Sequence, residues 1–201
     1  AGQAKKTRSV STTQSEQLDG SVSTTIAVAN YEYTDGTEDP LTLPPEYIDK
    51  DGKVIIGLLK HADGNSVTNG QDVFGNSYKT TSTDTYEIIK GDAKVKNTKS
   101  VTESVNIDGS INKTTANLTY IYTDGTEDPA TLPPEYIKDA KVIIGLIKDA
   151  NGGNVSESED VFGNKYVTTT TDTYVVLKGR AKVLRSESSS SYTTLEGGLI
   201  A

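Results

Sequence analysis

Tyr33-Thr34-Asp35-Gly36-Thr37-Glu38-Asp39-Pro40 recurs without change as Tyr122-Thr123-Asp124-Gly125-Thr126-Glu127-Asp128-Pro129, 89 positions on. Working outward, Leu43 to Ile48 returns as Leu132 to Ile137 at the same offset. Val54-Ile55-Ile56-Gly57-Leu58 then returns as Val142 to Leu146 at an offset of 88, and Asp72 to Asn76 as Asp160 to Asn164. The lost residue falls between Asp49-Lys50-Asp51-Gly52 and Lys138-Asp139-Ala140, which places a loop there. Blocks that repeat in order read as an internal duplication of about 89 residues. Ala4-Lys5-Lys6, Ala93-Lys94-Val95 and Ala181-Lys182-Val183 open three related stretches, each running to a turn at Leu18-Asp19-Gly20, Ile107-Asp108-Gly109 or Leu195-Glu196-Gly197. The C-terminal stretch therefore resembles the start of a third repeat. A stretch of this kind either serves both flanking repeats as a shared strand or pairs with a neighbouring subunit.

Inside each repeat the pattern is that of strands. Ser100 to Tyr122 alternates apolar and polar residues around Asp108-Gly109, a pair favoured in tight hairpins. Thr80–Lys90 and Thr168–Lys178 are rich in Thr, Tyr, Ile and Val, which suit a pleated, half-buried surface. Turn signals every 8–12 residues predict an all-β chain of two tandem homologous β-sandwich domains, immunoglobulin-like in strand count, over residues 1–96 and 97–201. Pro44 to Lys60 reads as a buried central strand, with a short helix before or within it as the alternative; Asp149-Ala150-Asn151-Gly152 reads as a hairpin turn.

Composition narrows the function. The 201 residues carry 20 Lys+Arg against 28 Asp+Glu, with no Cys, Met or Trp and one His. Thiolate metal sites and cysteine nucleophiles are thereby excluded. An acidic balance argues against binding nucleic acid through its phosphates. No apolar run approaches the roughly 20 residues of a helical membrane span, so no membrane insertion is expected. Ala1-Gly2 is the kind of start left by trimming an initiator Met or by signal cleavage, and the lack of an apolar h-region favours assembly in the cytoplasm.

Carboxylates are the abundant reactive groups. Glu38-Asp39, Glu127-Asp128, Glu46 and Glu135 supply the pairs that glycosidase chemistry needs, but the chain has no Trp to line a sugar cleft, and turn-building is the simpler role. Asp35, Glu38 and Asp39 with Asp124, Glu127 and Asp128 are the candidate calcium ligands. Asp49-Lys50-Asp51-Gly52 shares only the alternate oxygens of a calcium loop. His61 stands where the second repeat has Asp149, in what reads as an exposed turn, and no nucleophile elbow accompanies it. The expectation is a non-enzymatic structural protein without a cofactor other than calcium. It self-associates through strand edges and terminal arms, with copies of itself or other structural proteins of the same particle as partners. A virion component of a bacterial virus (capsid decoration or tail-tube subunit) is the leading setting; an extracellular surface, adhesion or filament module is the alternative.

Overall fold

The computed structural model describes residues 4–177, 179–194 and 199–200. The chain is all-β, and the described residues include no α-helix. Its strands are β1 (Arg8–Glu16), β2 (Val22–Tyr33), β3 (Leu59–Gln71), β4 (Ser77–Ile89), β5 (Asp92–Val105) and β6 (Ile111–Tyr122). After these come a short hairpin of β7 (Ile137–Lys138) and β8 (Lys141–Val142), then β9 (Ile147–Glu159), β10 (Lys165–Leu177), β11 (Arg180–Thr193) and β12 (Leu199–Ile200). Ten of them form one antiparallel sheet in the order β1-β2-β3-β4-β5-β6-β9-β10-β11-β12, while β7 and β8 pair only with each other.

Registers recur with the sequence blocks. Arg8 faces Asn30 across β1–β2, and Asn97 faces Thr119 across β5–β6, nine rungs in each case. Bulges also recur, at Glu32/Tyr33 and Ile121/Tyr122 and at Thr85/Tyr86 and Thr173/Tyr174. Strand β5 runs through the boundary expected at residues 96/97 and pairs with β4 on one side and β6 on the other. It is the shared strand.

The two sandwiches expected from turn spacing give way to this single sheet. Among the described residues, strand contacts run chiefly between sheet neighbours, with a few between next-but-one strands such as β3 and β5, and every strand longer than two residues belongs to this one sheet. The accessible surface is 13367 Å2, against roughly 9,000 Å2 for a compact monomer of this mass. The reason lies in one face of the sheet, which offers little to cover. A row runs straight across it from Thr13 through Thr25, Thr68, Thr80, Thr102, Thr114, Ser156 and Thr168 to Ser190. Its hydroxyls bond one another, at 2.8 Å between Thr25 and Thr68 and 2.9 Å between Thr80 and Thr102. Side-chain ladders of this kind hold a sheet without a covering layer.

Two further expectations are corrected. Val54 to Leu58 forms no central strand: Val54 makes one isolated bridge to Ile48, and 3-10 turns at Pro45–Tyr47 and Pro134–Tyr136 precede the segment in each repeat. Proline at the start of each turn fixes the entry, and Gly57 and Gly145, both at φ +87°, end the segment in a conformation strands do not adopt. Asp149 to Gly152 and His61 lie within β9 and β3, where long-range pairing overrides local turn propensity.

Candidate assembly interface

The repeated octet folds on itself. Asp35 Oδ1 accepts the Thr37 amide and hydroxyl at 2.9 and 2.6 Å; Glu38 accepts the Asp35 and Gly36 amides, and Asp39 Oδ1 accepts the Leu41 amide at 2.9 Å. Asp124, Glu127 and Asp128 repeat these bonds. A φ of +91° at Gly125, with Ile144 Cδ1 only 3.0 Å from where a Cβ would stand, explains glycine there. The carboxylates proposed as calcium ligands thus accept hydrogen bonds within their own turns. Among the described residues no three His, Asp or Glu side chains gather as a metal site. Asp49 is likewise occupied, by the Asp51 and Lys53 amides. His61 is half exposed, 3.8 Å from Asp63, and Glu46 and Glu135 are exposed.

Glu38 also receives the Lys60 ammonium at 2.8 Å, and Glu127 the Lys148 ammonium at 2.6 Å. The Lys60 ammonium, with the Asp35 and Gly36 amides behind it, lowers the Glu38 carboxyl from an ordinary 4.5 to about 2. Lys148 lowers that of Glu127 in the same direction. A depressed carboxyl stabilises the fold above its unfolded pKa, and that contribution is lost as pH falls through the folded value. Melting temperature is therefore expected to fall between about pH 4.5 and 2, and Glu38→Gln is expected to flatten that dependence. An unaltered pH profile in the variant would remove Glu38 from the account.

The octets sit at the rims of two related grooves. One, of about 890 Å3, lies where the repeats meet: Ile88, Ile89 and Lys96 from β4 and β5 face Tyr120, Tyr122 and Ile144. The other, of about 880 Å3, is lined by Tyr31, Tyr33, Ile56, Gly57 and Lys60, the counterparts of the second wall, and by Lys5 and Thr7 in the places of Lys94 and Lys96; only the β4 residues of the first wall have no counterpart in its lining. At the first groove the Tyr122 hydroxyl donates to Val95 O at 2.7 Å, and a Cβ at Gly145 would stand 3.4 Å from Ile89. At the second, Tyr33 donates to Lys6 O at 3.1 Å, but Gly57 faces only the Lys5 side chain. Among the described residues the first repeat has no strand in the place that β4 occupies for the second.

No family model, curated protein or solved structure matches this chain.

Residues equivalent to the first wall also stand near the other end of the sheet. Leu177 and Val183, the counterparts of half-buried Ile89 and Val95, stand 52% and 53% exposed on β10 and β11. Below this edge, Tyr166 and Tyr192 stack with centroids 4.9 Å apart. Two residues that sequence reading missed hold the rims in place. Thr34 and Thr123 are buried to 2% and 0% exposure, each bonded to the loop that ends in Gly57 or Gly145. Their signal was polar identity inside an apolar-flanked repeat, which also fits an exposed turn. Among the described residues no helix is long and apolar enough to cross a membrane.

Proposed function

We propose that this chain is a non-enzymatic building block that self-associates through the edges of its sheet. The observation that carries this is the match between the groove beside β2, which lacks a β4-like wall, and the exposed Leu177 and Val183 near the other end of a sheet whose units recur in register. The recurrence is read as an internal duplication, which makes each end of the chain an image of the junction in its middle. Long strand edges left bare are a standing template for pairing with another chain. The leading setting is a virion component of a bacterial virus, a decoration or tail-tube subunit. The open-ended order of repeats, with β12 paired to β11 as β6 is to β5, favours an extracellular filament or surface module as the second reading.

Light scattering on the purified chain tests this. Masses at multiples of 21.4 kDa that rise with concentration are expected, unchanged by a calcium chelator because the octet carboxylates are engaged within their turns. A monomer at every concentration overturns the proposal.

A further inference from the structure

Strands β1, β5 and β11 are three versions of one strand. Residues 8–16, 97–105 and 185–193 occupy the same place in successive repeats: the first two pair over nine rungs with the strand that follows. In β11 the corresponding edge is taken up by Leu199 and Ile200 at Thr193 and Tyr192 alone; no other described residue pairs there. Strand β2 has the complementary history. It is the counterpart of β6, but where β6 pairs with a β5 that is itself held by β4, β2 pairs with a β1 that has no other neighbour among the described strands.

We infer that two copies join head to tail by strand exchange: β11 of one copy displaces β1 of the next and pairs with β2, in the register of the internal β5–β6 junction. This rests on the building-block reading and gives it a partner, a direction and a register. Carrying the β5–β6 register over sets Arg185 opposite Asn30, Ser189 opposite Ile26 and Thr193 opposite Val22. The exchange gains nine rungs and gives up the nine of β1–β2 and the two of β11–β12, so backbone pairing alone does not favour it. The balance comes from what β11 brings and β1 lacks. Leu177 lands on Gly57 as Ile89 does on Gly145, while the Val183 carbonyl takes over the Tyr33 hydroxyl that Lys6 O holds within one copy, a bond exchanged and not gained. Exposed apolar surface on both copies is covered. The displaced β1, exposed at every position but Ser9, surrenders little packing and regains chain entropy. Other edge pairings fit less well. A direct contact between β1 and β11 of copies in the same orientation is parallel, unlike every pairing in the sheet, and leaves the half groove open.

The test uses a reversible lock on the full chain, which has no cysteine of its own. Thr12 and Ile26 are opposite one another in β1–β2, close enough for a disulfide. In Thr12→Cys/Ile26→Cys the oxidised protein is expected to lose at least ten-fold in self-association, regained on reduction. Mixing the single variants Ser189→Cys and Ile26→Cys under oxidising conditions is expected to give a disulfide-linked dimer. Ser188→Cys, on the opposite face, is expected to give at least ten-fold less with Ile26→Cys. If the locked protein associates as well as the reduced one, or the two cysteine pairs crosslink equally, strand exchange in this register is wrong while self-association stands. If the unmodified chain stays monomeric, both fall together.

Discussion

Tyr136→Ala is expected to destabilise the second repeat by about 3–5 kcal/mol, the range for deleting a buried aromatic ring. In a sheet with no covering layer there are few large buried side chains, and Tyr136 at 3% exposure is one, with Tyr47 at 6% its counterpart. The ring anchors the excursion between β6 and β9. Its hydroxyl donates to Ile147 O at 2.5 Å, while its backbone takes the Ile143 amide at 2.8 Å. Tyr136→Phe keeps the ring and leaves one carbonyl without its partner, so about 1 kcal/mol is expected. Because strands touch chiefly their neighbours, the loss should stay local, as in arrays whose stability is a sum of units and nearest-neighbour terms. Urea unfolding followed by circular dichroism should resolve an early step in Tyr136→Ala that wild type lacks. A single transition shifted as a whole would mean that the sheet unfolds as one cooperative body.

Thr123→Val is expected to cost about 1–3 kcal/mol, the penalty for stranding buried polar groups. The hydroxyl is fully buried, donates to Ile143 O at 2.6 Å and accepts from the Leu146 amide at 3.1 Å. Valine matches the shape and satisfies neither group, whereas Thr123→Ser keeps both bonds and should lose less than half as much. The same bonds hold Gly145 under Ile89, so the valine variant should also loosen the junction between repeats. Amide exchange at Gly145, whose N–H donates to Thr123 O at 2.8 Å, reads this directly. Equal stability of the valine and serine variants would mean that shape, not hydrogen bonding, sets the site.

Strands and turns were legible where pattern and chemistry agree. Asp19-Gly20 and Asp108-Gly109 sit in the turns they predict, and Ser186–Ser191 pairs as its alignment with the Ser100–Ile107 stretch implies. The layer count was not legible. Alternation marks the two faces of a strand but is silent on whether either is covered, and the Thr13-to-Ser190 row satisfies its hydroxyls sideways instead of against a second sheet. Ile143 and Ile144 misled because β-branched residues favour strands, yet their backbone is claimed by Tyr136 and Thr123. The candidate site hid for a similar reason: the half groove becomes visible only when Tyr33 and Leu177 are compared with Tyr122 and Ile89 in space. The carboxylates were the conspicuous feature of the sequence, and their oxygens proved to be engaged within their own turns.

The order of the sheet also decides how the chain bears load. Strands β1 and β11 lie at opposite sides of the sheet, so tension drawn between its two ends acts across the strands, along their hydrogen bonds. Rungs then open in succession from an edge, and no long row must shear at once. Such a molecule lengthens in small increments at modest force and re-forms when slack. A string of such units would stretch before it snapped.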